Sequence, residues 1–383
     1  MERSLKNYYD SPRLSQSKLK LLLLGVKAFN EITEPELFFE EKQHFIIGSA
    51  VDTLLTRGVE QFNQEFYVSN LENKPSDTVK SIINEVFSKA NIGVDKVGLF
   101  APTLRDYPDL ILEACNNHSY QSNWKDETRV NKIIENFPYW EELVESNGKT
   151  ILTIEDKALI DTIVNNLLNH EAIKFYFNNF ADGIEIINQL HIDFEIDGVE
   201  CKALLDGIIV DRNNKTLLPY DIKTTGDKVI NFPRAMRKHH YQIQAAWYME
   251  ALKQWKDKST EFKDYNILNF EFIVESTTEP GFPKRFYCSD DLLHIGKYGR
   301  PEIRYTGEIM YSCLDTDYKF PMGVSNHTNK CLTKAPIIGY LKLLEAYKFY
   351  SSRNDWSTDL INYSALPEVL MYDTNFDVMD CFI

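Results

Sequence analysis

The sequence has no run of 18 uninterrupted apolar residues, the length from which a membrane-spanning helix becomes a candidate. The longest apolar cluster near its start, Leu21–Leu24, is far shorter and stands among lysines. The first residues also lack the charged, apolar and small-residue regions of a secretory signal peptide. We therefore expect a protein that works in the cytoplasm and has no membrane partner.

Cysteine is sparse as well. The six cysteines are scattered, and no two of them form a Cys-x-x-Cys motif. This spacing argues against a zinc ribbon and against a locally clustered iron–sulfur site. We expect reduced thiols, as is usual in a cytoplasm, and no iron–sulfur cluster.

Basic residues are in the minority. The chain has 42 Lys and Arg against 57 Asp and Glu, a net charge of −15. Such a charge counts against a protein that coats DNA non-specifically, which needs a basic surface. A nuclease stays compatible with it, because an acidic protein can concentrate positive charge in one groove.

Apolar residues, in contrast, are plentiful. They make up 43% of the 383 residues, and aromatic residues make up 13%. This is enough for a sizeable core, and the length suits one large domain or two modest ones.

The stretch richest in chemistry is 199–225, where two runs of β-forming residues flank the polar turn 212–215. This pattern predicts a β-hairpin. Asp206 falls on the more polar side of the first strand. In the second strand, Asp221 and Lys223 stand two residues apart, so their side chains share one face while Ile222 points into the core.

Two acids and a lysine at neighbouring strand ends suit metal-assisted hydrolysis of a phosphodiester. Mg²⁺ takes one or two carboxylates together with waters and substrate phosphate. The lysine can orient or deprotonate a water beside that cation. The acid-x-Lys triplet alone is weak, because the chain repeats it at 155–157 and 317–319 and most such triplets are solvated surface charge. The context favours a site, because an acid precedes the triplet on a paired strand and a helix with a polar face follows it.

The segments before the hairpin predict helices. Ser15 or Ser17 can cap a helix whose leucines follow at helical spacing. Residues 44–57 predict a more buried helix in which Gly48 and Asp52 share a face. An acid in such an apolar helix is costly unless it is paired or bound to a metal, so Asp52 is a candidate ligand. A surface-facing acid is the alternative.

A second helix and a strand lead directly into the hairpin. Residues 154–170 predict an amphipathic helix, which we interpret as scaffold. Residues 184–196 alternate as a strand, and Asp197-Gly198 turns the chain into the strand of Asp206. Glu185, near the start of that strand, is a further candidate metal ligand.

The segment after Lys223 is a local exception to the acidic composition. Basic residues cluster there: Arg234, Arg237, Lys238, His239 and His240. We interpret this cluster as a phosphate contact rather than as a solvated helix start. One face of the following helix then carries Tyr241, Gln244 and Tyr248. Residues 265–275 and 284–288 predict two further strands, and 335–350 predict a helix.

The order of these motifs resembles the PD-(D/E)XK nucleases. Within that superfamily it is similar to the exodeoxyribonuclease VIII-like branch of phages and prophages, which is related to RecB-type nuclease domains. The motifs that carry the resemblance are LSQSKLK at 14–20, GSAVDTLL at 48–55, the helix 154–170, KALLDG at 202–207, DIKTT at 221–225 and YQIQAAWY at 241–248. They reach across residues 10 to 275, with an unmatched insertion near 72–150.

The resemblance implies an α/β fold with a PD-(D/E)XK restriction-endonuclease-like core, in which helices flank a central mixed sheet. The nuclease domain would occupy 1–290, and 291–383 would be an extension packed on that core. Asp206 and Asp221 would bind the metal with the backbone carbonyl of Ile222, and Glu185 would match a common acidic position. Lys223 would activate the water and stabilise the transition state.

A Gln-x-x-x-Tyr motif is also implied. Gln244 and Tyr248 would form it, with Gln244 among the catalytic residues. The residues expected to contact DNA are Tyr248, Tyr241, Arg234, Arg237 and Lys238. One position departs from the family, because Asp52 stands where a histidine is usual. Its oxygen ligands still suit Mg²⁺ or Mn²⁺.

We therefore predict a Mg²⁺-dependent deoxyribonuclease, and specifically an exonuclease in phage-type recombination or DNA processing. A catalytically inactive DNA-binding or assembly module and a structure-specific endonuclease are the open alternatives. The resemblance adds a single-strand annealing protein and a homo-oligomer as candidate partners beside DNA.

Overall fold

The computed structural model describes residues 8–32, 43–71, 75–90, 102–178, 182–300, 303–306, 308–309, 332–334 and 337–356. The chain divides into two compact units, one formed by 49–162 and the other by 1–48 with 163–383. The motif-based boundaries, an insertion at 72–150 and an extension from 291, rest on a different criterion and stay predictions. Within the described ranges, no helix combines the length and apolar character needed to cross a membrane.

The helices of the described residues, in chain order, are α1 (Gln16–Lys20), α2 (Val26–Glu31), α3 (Gln43–Thr56), α4 (Gly58–Glu65), α5 (Asp77–Ala90), α6 (Pro108–Asn117), α7 (Asp126–Ile134), α8 (Phe137–Ser146), α9 (Ile154–Asn169), α10 (Phe232–Lys238), α11 (Tyr241–Lys258), α12 (Asp290–Tyr298) and α13 (Tyr340–Arg353). Short 3₁₀ helices occupy Leu21–Leu24, Leu104–Asp106, Lys174–Tyr176 and Val229–Asn231. The strands are β1 (Phe66–Val68), β2 (Thr150–Leu152), β3 (Ile184–Ile196), β4 (Val199–Asp211), β5 (Thr216–Thr225), β6 (Asn266–Ile267), β7 (Glu271–Ser276), β8 (Lys284–Tyr287), β9 (Ile303–Thr306), β10 (Glu308–Ile309) and β11 (Leu332–Lys334).

The unit 49–162 is mainly helical. Strands β1 and β2 pair in parallel. Its core is a cluster of apolar side chains from α5 to α8, with Trp140 among the largest. The indole N–H of Trp140 donates to the carbonyl of Pro102 at 2.9 Å, so the polar atom of this buried ring is satisfied.

The other unit is built on a mixed sheet in the order β3-β4-β5-β7-β8, with the short β6 beside β5. Strands β3, β4 and β5 run antiparallel, β7 is parallel to β5, and β8 is antiparallel to β7. Helices α10 and α11 form the crossover that a parallel β5–β7 pair requires. The predicted α/β fold, a central mixed sheet flanked by helices, is confirmed.

Helix α11 covers the hairpin face of this sheet. The ring of Trp247 packs edge-on against Phe194, with ring centres 5.3 Å apart. Its indole N–H donates to the carbonyl of Lys202 at 3.1 Å. This packing fixes α11 against β3 and β4. It thereby fixes the position of Gln244, which lies on the same helix, relative to the sheet.

The predicted local signals hold at the hairpins. The turn between β3 and β4 has φ of 50° at Asp197 and 80° at Gly198, the positive values of a type I′ turn. Ser15 caps α1 by accepting from the amide of Lys18 at 3.1 Å. The predicted strand 265–275 differs, because β6 and β7 are separate and 268–270 lie in neither strand.

Candidate active site

The predicted acids meet where β4 and β5 separate. The last paired residues of the two strands are Gly207 and Tyr220. The same register, continued by one residue, sets Asp206 opposite Asp221. Beyond that point the side chain of Asp206 replaces the backbone pairing, because its carboxylate accepts from the amide of Ile222 at 2.8 Å.

Asp221 is the most enclosed of these acids, with 2% of its surface exposed. Its Oδ1 accepts from Nε2 of Gln244 at 2.7 Å, and its Oδ2 lies 2.5 Å from Nζ of Lys223. A buried carboxylate needs such partners, since an unpaired charge away from water is strongly unfavourable. The contact with Lys223 confirms the shared face predicted for Asp221 and Lys223, whereas the catalytic roles stay predictions.

Lys223 carries a positive charge in this environment. Its side chain is 20% exposed. Burial disfavours the charged form, but the carboxylates of Asp221 and Asp206, together with Tyr241, outweigh it and raise the pKa above the ordinary lysine value. The ammonium also lies 5.1 Å from the ring centre of Tyr241. A lysine held as a cation suits charge stabilisation and water orientation better than proton abstraction.

The backbone of Ile222 faces the same acids. Its amide points toward Asp206, and the N–H and C=O of a strand residue point to the same side. The carbonyl of Ile222 is therefore directed toward the β4 edge, where a backbone ligand is needed. Its side chain is buried, as the alternation predicted.

This donor set fits Mg²⁺. Two carboxylates and a backbone carbonyl match an ion that completes its shell with waters and a substrate phosphate. In the part of the chain that the structure describes, no group of three or more His, Cys, Asp or Glu residues could hold a metal. Two carboxylates and one carbonyl would leave coordination positions of such an ion open for water and substrate.

One other candidate ligand, Glu185, is not brought to this cluster. Glu185 pairs with Val210, four residues from Asp206 along β4, which is roughly 13 Å of strand. Its carboxylate binds the guanidinium of Arg212 at 2.6 Å. Asp52 belongs to the unit 49–162, and its role as a ligand stays a prediction.

The two residues of the Gln-x-x-x-Tyr motif follow one another behind Asp221: Gln244 contacts Asp221, and Tyr248 contacts Gln244. Tyr248 is 7% exposed, packs against Phe270 and shares a side-chain hydrogen bond with Gln244. Burial raises its pKa well above the ordinary value. Tyr248 is thus placed to hold Gln244, and contact with DNA stays a prediction for it. Tyr241 is half-buried and stacks on Phe232 and His239.

Helix α10 presents the predicted basic cluster. Arg234 and Lys238 are exposed, and Arg237 is half-buried. None of the three forms an ion pair with a carboxylate in the described ranges. The helix ends at Lys238, and α11 begins after a break at His240, whose φ is 53°. The basic cluster and the Tyr241 face therefore lie on two successive helices, with the basic one leading into the site.

Sequence reasoning gave no role to two residues near the acids. Gln189 interrupts the β3–β4 ladder between the pairs Asn188–Gly207 and Leu190–Leu205, at the level of Asp206, and has φ of 50°, an unusual value for a residue other than glycine. Lys20, the last residue of α1, donates to the carbonyl of His239 at 3.3 Å and lies 6.0 Å from the ring centre of Tyr241. Neither placement has a local signal, because both depend on contacts distant in sequence.

His240, at the break before α11, predicts a loss of stability in acid. Burial, with Lys20 and His239 nearby, lowers its pKa from 6.5 to about 4. The unfolded chain therefore binds the proton first, so the folded state loses stability as the pH falls below 6.5, and the loss is complete below 4. Asn at position 240 can keep the left-handed backbone. We therefore expect His240→Asn to reduce the loss in the free energy of unfolding at pH 5 by about 2 kcal/mol.

Denaturant unfolding at pH 7 and pH 5 measures this difference. The exposed neighbour is the control, and His239→Asn should keep most of the wild-type pH dependence, because His239 is the smallest of the three causes that lower the pKa of His240. Equal pH dependence in His240→Asn and wild type would contradict the assignment.

Comparisons with known proteins add little to this geometry. A scan against protein-family models finds no match, and a search of curated proteins finds no similar sequence. One similar solved structure is a "Putative exonuclease" from Eubacterium rectale, with 14% sequence identity and a TM-score of 0.38. The similarity covers 77% of this chain and 80% of that chain. It is too distant to carry an argument, so the function rests on the site itself.

Proposed function

We propose that this protein is a metal-dependent deoxyribonuclease of the PD-(D/E)XK type. The observation that carries the proposal is the triad formed across two neighbouring strands, in which Asp206 lies opposite Asp221 and Lys223 contacts Asp221. Two acids at diverging strand ends, with a charged lysine that is more exposed than Asp221, are an arrangement that few other activities need.

Each residue has a task in phosphodiester hydrolysis. Asp206, Asp221 and the carbonyl of Ile222 would hold Mg²⁺ or Mn²⁺, which when bound supplies Lewis-acid activation of phosphate and water. Lys223 orients the attacking water and stabilises the charge that develops on the phosphate oxygens. Gln244 keeps the Asp221 carboxylate in one orientation through its amide.

DNA would reach these residues along helix α10. Arg234, Arg237 and Lys238 form no close ion pair with a carboxylate in the described ranges, which leaves their donors available for phosphates. An acidic protein that retains such a basic helix beside two acids and a lysine suits a nuclease better than a surface that binds DNA without cutting it.

More specifically, we propose that the protein is an exonuclease that acts in phage-type recombination or DNA processing in a cytoplasm. Its proposed partners are a single-strand annealing protein and further copies of the same chain in a homo-oligomer. The resemblance of the motif order to the exodeoxyribonuclease VIII-like branch supports this part, and support by family analogy is weaker than support by geometry.

Digestion of end-labelled linear duplex and of closed circular DNA tests the proposal. With Mg²⁺ or Mn²⁺ we expect release of nucleotides from the linear duplex, an intact circle, and no cleavage in EDTA. Asp206→Asn should lower the rate at least about 100-fold, because one metal-binding carboxylate is lost. Asp211→Asn, on the same strand at the hairpin turn, should cut like the wild type.

Each other result selects an alternative. Cleavage of the circle would identify an endonuclease. Binding of DNA without cleavage in either metal would identify an inactive binding module, with Asp52 as the first residue to restore to histidine. Full activity of Asp206→Asn would show that the catalytic centre lies elsewhere.

A further inference from the structure

Two lysines of helix α1 have opposite environments. The ammonium of Lys18 donates to the carbonyls of Phe29 and Ile32 and lies 4.6 Å from the ring centre of Phe29. It thereby holds the end of α2. Lys20, two residues later, points instead to the start of helix α11, where its ammonium contacts His239 and Tyr241.

The surroundings of Lys20 do little to offset the burial of its charge. Its ammonium has one hydrogen-bond acceptor, the carbonyl of His239, and it forms no ion pair with any described carboxylate. The side chain is half-buried, and its charge interacts unfavourably with Lys223 and favourably with Asp221. Burial, together with Lys223, lowers its pKa to about 7. The charged form of Lys20 is therefore poorly stabilised by the fold, and an arriving anion would stabilise that form.

The position of Lys20 connects the basic helix to the acids. It bonds to His239, the residue directly after α10, and it shares the ring of Tyr241 with Lys223, whose nitrogen lies 5.1 Å from the ring centre. A nucleic-acid strand that runs along α10 toward Asp206 and Asp221 would pass the ammonium of Lys20. A second cation at that point can bind a phosphate oxygen that Lys223, already bound to Asp221, does not reach.

We propose that Lys20 binds a phosphodiester oxygen of the nucleic-acid strand in the active site, as a second cation beside Lys223. This inference rests on the proposed nuclease function and adds to it a substrate-contacting residue. Lys20 is then a catalytic residue supplied by the N-terminal helix, while Lys18 has a structural role.

The two lysines should separate function from stability. We expect Lys20→Met to lower kcat/KM about 100-fold, as for the loss of one donor to a developing oxyanion, without lowering the melting temperature. Lys20→Arg should retain most of the activity, because it keeps the charge. Lys18→Met should instead lower the melting temperature and leave kcat/KM of the folded protein near the wild-type value.

Binding to a fluorescent single-stranded oligonucleotide, with Ca²⁺ replacing Mg²⁺, gives a readout besides activity. Lys20→Met should weaken binding about tenfold and should reduce the slope of log K against log salt by about 0.7, the value for one phosphate contact on a single strand. Lys27→Met, at an exposed lysine of α2, should change neither quantity.

The outcomes distinguish this inference from the proposed function. If the wild type cuts and Lys20→Met cuts and binds equally well, the role of Lys20 is overturned and the nuclease stands. If the wild type binds DNA through Lys20 but never cuts, the phosphate contact stands and the nuclease is overturned. A wild type that neither cuts nor binds overturns both.

Discussion

Lys223→Met should lower cleavage about 1000-fold and should also destabilise the metal-free protein. The activity falls because the charge beside the reacting phosphate is lost. The stability falls because Asp221, at 2% exposure, loses its ion pair and keeps Gln244 as its hydrogen-bond donor among the described side chains. Breaking a buried ion pair from one side costs roughly 3 kcal/mol of the free energy of unfolding.

The stability effect has a defined pH range. The pKa of Lys223 is raised in the folded state, so its contribution is fully present below the ordinary lysine pKa and is lost as the pH rises through the raised value. Denaturant unfolding at pH 8 therefore measures the whole effect. Mg²⁺ should stabilise Lys223→Met more than the wild type, because the ion replaces the missing cation.

Lys228→Met is the matched control. Lys228 lies five residues along the chain, has a 63% exposed side chain and forms a surface pair with Glu279. We expect it to leave both cleavage and stability near the wild-type values. A Lys223→Met protein with normal kcat would remove Lys223 from the proposed mechanism.

Gly207→Ala should disrupt the site without touching a charged group. A Cβ at Gly207 would stand 2.1 Å from Cζ of the Tyr220 ring. That ring cannot move away easily, because Tyr220 is fully buried and its hydroxyl donates to the carbonyl of Tyr176 at 2.8 Å. We expect a loss of about 2 kcal/mol in the free energy of unfolding.

The same substitution should lower kcat about 100-fold. The pair Gly207–Tyr220 is adjacent to Asp206 and Asp221 on the two strands, and a shift of about 1 Å in the position of catalytic groups has an effect of this size. Gly226→Ala is the control, because a Cβ at Gly226 meets nothing within 4 Å. Tyr220→Leu combined with Gly207→Ala should recover stability relative to Gly207→Ala alone. If the double variant is no better than Gly207→Ala, the steric explanation is wrong.

The centre of the site could be predicted from sequence because its parts are local. Strand alternation sets Asp221 and Lys223 on one face, a two-residue turn fixes the strand of Asp206, and helical spacing aligns Gln244 with Tyr248. Asp221 and Gln244 are only 23 residues apart. Each rule acts within a few residues, so the pattern survives in the folded protein.

The remainder depends on contacts that no local rule encodes. Glu185 has the right chemistry, but the long β3–β4 ladder places it several residues from Asp206 and next to Arg212. Gln189 lacks a charge and has no distinguishing motif in the sequence, yet it interrupts the β3–β4 ladder at the level of Asp206. The close approach of Gly207 to Tyr220 is likewise a property of packed side chains rather than of spacing.

The contact between Lys20 and His239 also has a consequence for the order of assembly. These residues are 219 positions apart, so at 5–20 residues per second a ribosome needs roughly 10 to 40 s to make the second after the first. The hairpin and helix α11 emerge together and can dock early, whereas α1 waits until the chain closes a long loop. The acids can thus be assembled before their second cation arrives, and α1 supplies that cation through a contact 219 residues distant in sequence.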